Sequence, residues 1–235
     1  MEPAQESGVA TEFPRKIRSF VLRQGRITSA QKRAFDLYWN RYGIEYQGRP
    51  RHFDASFHRK APLVLEIGFG NGEELLHAAL TEDRNNFLGI EVHRPGVGRA
   101  MNALAAADVG NVRLYHHDAV EVLEHEIMPA ALTGVRVYFP DPWPKKRHHK
   151  RRLIQPDFVA LLASRVAPGG TLHLATDWHE YAEHMRSTLD NSPAWRNPGG
   201  PRAFCEQSPR RIQTHFEQRG VRLGHPVWDL LYERR

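Results

Sequence analysis

From residue 61 onward, short apolar runs alternate with helical patterns, and this alternation limits the fold more than any other feature of the sequence. Five runs read as strands and the stretches between them as helices. Strands that alternate with helices predict an α/β fold, a mostly parallel sheet with helices on both faces. The predicted strands are 63–67, 86–92, 112–116, 135–139 and 171–175, with one more at 227–232 and a weaker one near 203–206. The predicted helices are 73–80, 97–107, 120–128, 156–166 and 181–189.

The first quarter of the chain, residues 1–60, differs in composition and in its predicted elements. Residues 1–14 contain little to bury and are expected to be disordered. A helix is predicted over 30–42, with Thr28 or Ser29 as its cap and Gly43 as its stop, and 47–61 is polar and irregular. We therefore divide the chain into a basic N-terminal arm and helix, 1–60, and one α/β domain, 61–235.

Positive charge is concentrated in two segments. The 235 residues carry a net charge of +6, yet 1–60 holds 12 Lys and Arg against 6 Asp and Glu, whereas 61–235 holds 21 of each. Within that neutral remainder, 145–152 (KKRHHKRR) has six cations in eight residues. A single basic run is often only solvated surface, but two on a neutral body favour a nucleic-acid partner.

Several classes of protein are excluded or disfavoured by composition. Cys205 is the single cysteine, so no internal disulfide framework and no cysteine metal site can form. The 14 histidines are scattered, which disfavours a metal hydrolase, and we expect no metal. No apolar run approaches the roughly 20 residues that span a bilayer, and 1–14 lacks the pattern of a secretory signal. The chain is expected to be cytoplasmic and free of membrane contact.

A glycine loop follows the first strand. Gly68, Gly70 and Gly72 stand where a tight turn can let a ligand approach the backbone. The dinucleotide fingerprint requires glycine at position 73, which is Glu73, and no phosphate-binding Gly-Lys-Ser/Thr follows. Glu66, two residues before the loop, would repel a phosphate and attract a cation. A tight turn without a ligand is the alternative.

Acidic residues stand at or just after the ends of five successive predicted strands. Ligands of open α/β sheets bind at this edge, and acceptors there suit a cationic nucleoside with hydroxyl and amino groups. S-adenosylmethionine has these features. Each acid could instead be a helix N-cap, Asp118 in particular. The five are Glu66, Glu91, Asp118, Asp141 and Asp177.

A proline-rich loop follows the fourth strand. Its sequence, FPDPWP over 139–144, fixes the backbone around Asp141 and Trp143 and leads directly into the basic run. A purine can stack on an aromatic ring while its edge bonds to a carboxylate and nearby cations hold the phosphates. A stiff connector without chemistry is the alternative.

The sequence resembles the bacterial tRNA (guanine-N7)-methyltransferases from about residue 18 to the C-terminus. The resemblance implies a Rossmann-like class I methyltransferase, with a seven-stranded, mostly parallel sheet and an antiparallel last strand. It also implies methyl transfer from S-adenosylmethionine to N7 of a guanine in the tRNA variable loop. The motifs that carry it are IRSFVLRQGRIT (17–28), LEIGFGNG (65–72), GIEVHRPGVG (89–98), FPDPWPKKRHHKRRL (139–153), ATDWHEYA (175–182), T-x-F-E (214–217) and GHPVWDLLYE (224–233).

The resemblance also implies roles for individual residues. Cofactor contacts are expected from Glu66, Glu91, Asp118 and Asp141, beside the glycine loop of Gly68, Gly70 and Gly72, and Asp141 is expected to be catalytic. Substrate contacts are expected from Lys145, Asp177, Thr214, His215, Phe216 and Glu217. RNA contacts are expected from Arg147, His148, His149, Lys150, Arg151 and Arg152. His215 is a departure, because Lys or Arg is expected there.

Two other functions remain open. An amino-group methyltransferase would typically have a second proline where this loop has Trp143, which disfavours that reaction. A non-catalytic RNA-binding module would not need Glu66, the glycine triplet or Asp141. Guanine N7 has a free lone pair, so we expect Asp141 to orient the base and stabilise positive charge without removing a proton. The chain is expected to be a monomer or a weak homodimer.

Overall fold

A seven-stranded sheet forms the centre of the molecule. The computed structural model describes residues 19–20, 27–205, 212, 217 and 226–235. The strand order is β3-β2-β1-β4-β5-β7-β6, and β7 is antiparallel to both of its neighbours. This confirms the predicted Rossmann-like sheet with its antiparallel last strand. The strands are β1 Leu63–Ile67, β2 Asn86–Ile90, β3 Val112–Tyr115, β4 Leu132–Tyr138, β5 Val166–Thr176, β6 Trp195–Arg196 and β7 Trp228–Arg234.

Helices cover both faces of the sheet. One hydrophobic cluster joins one face to α1, α3 and α4, and a second joins the other face to α2, α5, α6 and α7. The helices are α1 Ser29–Tyr42, α2 Phe53–Phe57, α3 Glu73–Thr81, α4 Arg94–Ala106, α5 Ala119–His125, α6 Pro156–Arg165 and α7 His179–Asp190, and a 3₁₀ helix spans Lys146–Arg151. No helix in the described part of the chain is long and apolar enough to cross a bilayer.

The first helix packs onto the sheet domain. Thr28 caps it through a reciprocal pair of bonds with Gln31, and Gly43 ends it. Ala34 and Tyr42 are buried, and the Tyr42 hydroxyl donates to the carbonyl of Val109 at 3.0 Å. The helix is therefore part of the core, although it falls in the predicted arm, 1–60. The division at residue 60 stays a prediction.

The strand order reverses beside β1. All residues of β1 and β2 are buried, as expected for central strands covered on both faces. β1 pairs in parallel with β2 on one side and with β4 on the other. Because the crossovers leave β1 and β4 in opposite directions, a crevice opens at their carboxyl ends, where ligands of such sheets bind.

Three local features differ from the sequence prediction. β5 begins at Val166, because that residue pairs with Leu132 before the ladder shifts around residues 168–170, where Pro168 has no N–H. The weak strand predicted near 203–206 does not include Ala203 and Phe204; Cys205 forms an isolated bridge to Asp229, and Glu206 lies outside the described residues. The irregular stretch 47–61 contains α2.

Candidate functional site

A cavity of about 280 Å³ lies at the carboxyl edge of the sheet. It is bounded by the ends of β1, β2 and β4 and by the start of α5. The structure brings four of the predicted cofactor positions into its wall: Gly68, Glu91, Asp118 and Asp141. Also in the wall are Ser19, Phe20, Ile67, Ile90, Val92, His93, His117, Ala119, Val137, Tyr138, Phe139, Pro140 and Leu153.

The glycine loop needs glycine for two different reasons. Gly68, Gly70 and Gly72 all have positive φ, at 76°, 56° and 80°. A Cβ on Gly68 or Gly70 would meet nothing within 4 Å, so the backbone there is open to an approaching ligand. A Cβ on Gly72 would lie 2.6 Å from Cβ of Ala100, so that glycine permits close packing of the loop on α4.

Glu91 is fixed by the backbone around it. Its Oε2 accepts from the N–H of Gly70 at 2.9 Å, and its Oε1 accepts from the N–H groups of Val92 and His93 at 2.7 and 2.8 Å. Three donors on one carboxylate satisfy this buried group and fix the orientation of its side chain. The glycine loop and the end of β2 are thereby held at a constant distance.

Glu66 lies beneath the loop and not in the wall of the cavity. It is 4 % exposed, and its Oε2 has no hydrogen-bond partner. Burial, followed by repulsion from Glu74, raises the pKa of Glu66 to about 8, although Arg136 acts in the opposite direction. Glu66 is thus a buried carboxyl with an unsatisfied oxygen next to the glycine loop, and a cationic ligand would supply the missing partner.

Asp118 both caps a helix and lines the cavity. Its Oδ1 accepts from the N–H of Val120 at 2.9 Å, so it caps α5, which was the alternative reading of this residue. It also stands in the cavity wall. The cap fixes the aspartate at the end of β3, where a ligand can reach it.

The proline-rich loop presents Asp141 to solvent at the mouth of the cavity. The loop begins with Phe139 at φ 51°, and the N–H of Phe139 donates to the carbonyl of Ala175 at 2.8 Å, which ties it to β5. The indole N–H of Trp143 donates to the carbonyl of Ser19 at 3.0 Å, and the Arg151 guanidinium lies 4.9 Å from its ring centre. A guanine that stacks on Trp143 would therefore compete with Arg151 for that ring.

The basic run forms the 3₁₀ helix Lys146–Arg151, with Lys145 as its N-cap. Its exposed cations are Lys145, Lys146, Arg147 and Lys150. His148 and His149 are half-buried, and desolvation together with the neighbouring cations lowers the pKa of His148. The turn is thus a compact surface of positive charge next to Asp141.

Arg152 differs from the rest of the run. It is 3 % exposed, and its guanidinium faces the protein interior, where it bonds to Pro142, His149 and Glu180. The expectation that Arg152 contacts RNA does not fit this position, because a buried guanidinium with protein partners is not presented to a phosphate.

The remaining predicted substrate positions are only partly described. Asp177 follows β5 and is half-buried, outside the cavity wall. Glu217 is buried, at 3 % exposure. Thr214, His215 and Phe216 lie outside the described residues. The N–H of Ile212 donates to Oε2 of Glu74 at 2.9 Å, so Ile212 contacts the start of α3, directly after the glycine loop.

Several residues of the cavity wall are not predicted from the sequence to be site residues. Ser19 and Phe20 come from the N-terminal region, and Leu153 comes from the end of the basic run. Ser19 and Phe20 lie in the motif 17–28 that carries the resemblance, which was the available signal. His93 and His117 had no signal beyond their position after strands. No group of three or more His, Cys, Asp or Glu within the described ranges is arranged to hold a metal ion.

A family model and curated relatives of high sequence identity both match this chain. A family model described as "Putative methyltransferase" matches residues 60–230. A curated tRNA (guanine-N(7)-)-methyltransferase from Xanthomonas oryzae pv. oryzae (strain MAFF 311018) is 60 % identical over 220 residues, covering 94 % of this chain and 87 % of that protein. Another of that name, from Xylella fastidiosa (strain 9a5c), is 57 % identical over 223 residues, 95 % of this chain and 91 % of its own.

Solved structures resemble this fold at low sequence identity. The 16S rRNA methyltransferase KamB superposes with a TM-score of 0.57 at 15 % identity, covering 83 % of this chain and 98 % of its own. TrmN from Thermus thermophilus superposes with a TM-score of 0.53 at 18 % identity, covering 78 % of this chain and 47 % of its own. These likenesses show the fold alone.

Proposed function

This chain belongs to the tRNA (guanine-N(7)-)-methyltransferase family, and from that premise we propose how its own residues perform the reaction. The activity is transfer of a methyl group from S-adenosylmethionine to N7 of a guanine in tRNA. One observation supports placing this reaction in the cavity at the carboxyl edge of the sheet. The cavity adjoins the basic 3₁₀ helix, and its wall contains Gly68, Glu91, Asp118 and Asp141.

The residues present suit the cofactor. When bound, S-adenosylmethionine supplies an electrophilic methyl group on a sulfonium. Glu91 and Asp118 offer acceptors for its hydroxyl and amino groups, and Glu66 offers the unsatisfied carboxyl below the glycine loop. Open space at Gly68 and Gly70 lets the ligand approach the backbone.

Asp141 then orients the guanine. N7 carries no proton, so no side chain has to act as a general base. Positioning of the reacting atoms can lower a barrier by roughly 7–11 kcal/mol. The purine gains positive charge as the methyl group is transferred, and a nearby carboxylate stabilises that charge. Asp177 would contact the N–H edge of guanine, and Lys145 to Arg151 would hold the phosphates.

We also propose the region of tRNA that is modified, the cellular location and the oligomeric state. The chain acts on the variable loop of tRNA, without a metal, in the cytoplasm, as a monomer or weak homodimer. The family membership supports the tRNA partner, and the two basic segments of the sequence support phosphate contacts.

The test of the function is methyl transfer to bulk tRNA with an isotope-labelled donor, followed by nucleoside analysis. We expect the label in 7-methylguanosine. Label on an exocyclic amino group would favour the amino-group alternative, and binding of tRNA without transfer would favour an RNA-binding module.

The test of Asp141 is Asp141→Ala. We expect turnover to fall by about 10²–10³-fold, while the calorimetric dissociation constant of the cofactor changes much less, because Asp141 acts mainly on guanine. The matched control is Asp157→Ala, because Asp157 at the start of α6 is also exposed, and this variant should keep the wild-type turnover. Near-normal turnover in Asp141→Ala would contradict the assignment.

A further inference from the structure

We propose that Arg152 positions the loop that carries Asp141, and that it does not belong to the phosphate-binding surface formed by its neighbours in sequence. This inference rests on the proposed function, because it assumes that Asp141 acts on guanine. It assigns the last cation of the basic run to a positioning role that the residue pattern of the run does not reveal.

The first contact reaches the loop directly. Nε of Arg152 donates to the carbonyl of Pro142 at 2.9 Å, one residue after Asp141. Pro140, Pro142 and Pro144 have no N–H, so this loop can offer few donors of its own to anchor its backbone. A guanidinium, which has five N–H donors and no acceptor, can supply that anchor from another segment.

The second set of contacts fixes the guanidinium itself. Nη2 of Arg152 donates to Nε2 of His149 at 3.1 Å and to Oε1 of Glu180 at 3.3 Å. The guanidinium carbon lies 5.0 Å from the ring centre of Tyr181, close enough for a cation–π contact. Tyr181 is itself held, since its hydroxyl accepts from the N–H of Ile154 at 3.2 Å.

The 3₁₀ geometry explains why this cation faces inward. Residues three apart lie on the same side of a 3₁₀ helix, and Arg152 immediately follows the helix that contains His149. The two side chains therefore share the side that faces Glu180 on α7. Lys150, which is out of that register, is exposed.

Arg152 thus joins three parts of the site. They are the loop with Asp141, the basic 3₁₀ helix, and the first turn of α7, which follows Asp177 by two residues. A lysine could not replace it, because a single ammonium on a flexible stem cannot contact Pro142, Glu180 and the Tyr181 ring together. The residue sets the spacing between the carboxylate that orients guanine and the cations that hold the RNA.

Steady-state kinetics of Arg152→Lys and Arg152→Met tests the proposal. We expect kcat to fall by about 10- to 100-fold in both, with KM for tRNA changed by less than about 3-fold, because a displaced catalytic group lowers turnover more than binding. Salt dependence of tRNA binding should equal that of the wild type. Arg152→Lys keeps the charge and most of the side chain, so it remains informative if Arg152→Met folds poorly.

Two controls make the result specific. Arg165→Met removes another anchored arginine, which donates to the carbonyls of Leu123 and Glu124 away from the cavity, and it should keep wild-type kcat. Lys150→Gln should weaken tRNA binding and reduce the salt dependence of that binding. The labelled-transfer assay on the wild type tests the function separately, so its failure would not be confused with failure here.

Two outcomes would overturn the proposal. Wild-type kcat in Arg152→Lys would show that positive charge alone is sufficient. A reduced salt dependence in Arg152→Met, matching that of Lys150→Gln, would place Arg152 on the phosphate surface after all.

Discussion

At the scale of single residues, hydrogen-bond partners distinguish the two buried glutamates at the sheet edge, Glu66 and Glu91. Glu91 accepts three backbone N–H bonds, whereas Glu66 has an unsatisfied oxygen and lies near Glu74. Sequence spacing makes the two equivalent, since both are glutamates near strand ends. Their different surroundings fix the orientation of the Glu91 side chain and raise the pKa of Glu66, whose carboxyl holds its proton near neutral pH.

The pH dependence of stability follows from that difference. An ordinary glutamate has a pKa near 4.5, and that of Glu66 is raised to about 8. Between these values the folded chain keeps a proton that the unfolded chain has released, so this group makes stability fall as pH rises. Urea denaturation of the cofactor-free protein from pH 5 to 8 should show a shallower fall for Glu66→Gln than for the wild type.

Asp83→Asn is the control for this experiment, because Asp83 is exposed. Its profile should parallel that of the wild type. A Glu66→Gln profile that is also parallel to the wild type would show that Glu66 ionises normally, and the buried-carboxyl account would then fail.

At the scale of elements, the packing of α1 on α4 depends on one small residue. A Cβ on Gly98 would lie 2.8 Å from the carbonyl oxygen of Gln31 in α1. Since this contact is with backbone, one of the helices must move to relieve it.

Gly98→Ala should therefore destabilise the protein, by about 1–3 kcal/mol, as overpacking of a core contact usually does. Urea denaturation at constant pH measures this. Gly110→Ala is the matched control, because a Cβ there meets nothing within 4 Å, and it should be close to neutral. Equal stability of the two variants would contradict the close approach of α1 and α4.

The elements also show how far the sequence could predict the structure. β1 was predicted at its observed bounds and α1 within one residue, because an apolar run and a capping pair are local signals. β6 and α2 were missed because two strand residues, or five helical ones, are stabilised by tertiary pairing and packing more than by their own pattern. Arg152 and Lys150 are indistinguishable in a basic run until the 3₁₀ register separates them.

At the scale of the whole molecule, positive charge lies at the edge of the sheet where the cavity opens. The basic 3₁₀ helix follows β4 at its carboxyl end, and Ser19 brings the N-terminal region to the same place through its bond with Trp143. Within residues 15–26 of the basic N-terminal arm, the structure describes Ser19 and Phe20. RNA that contacts the basic 3₁₀ helix would therefore pass close to the cavity.

Salt dependence of tRNA binding tests that geometry. Each phosphate contact releases condensed counterions, so removing one cation that contacts a phosphate should reduce the slope of log K against log salt concentration by about one. Lys150→Gln should show this reduction. Arg84→Gln is the matched control, because exposed Arg84 precedes β2 and so lies at the opposite edge of the sheet. An unchanged slope for Lys150→Gln, or an equal reduction for Arg84→Gln, would place the tRNA away from the basic 3₁₀ helix.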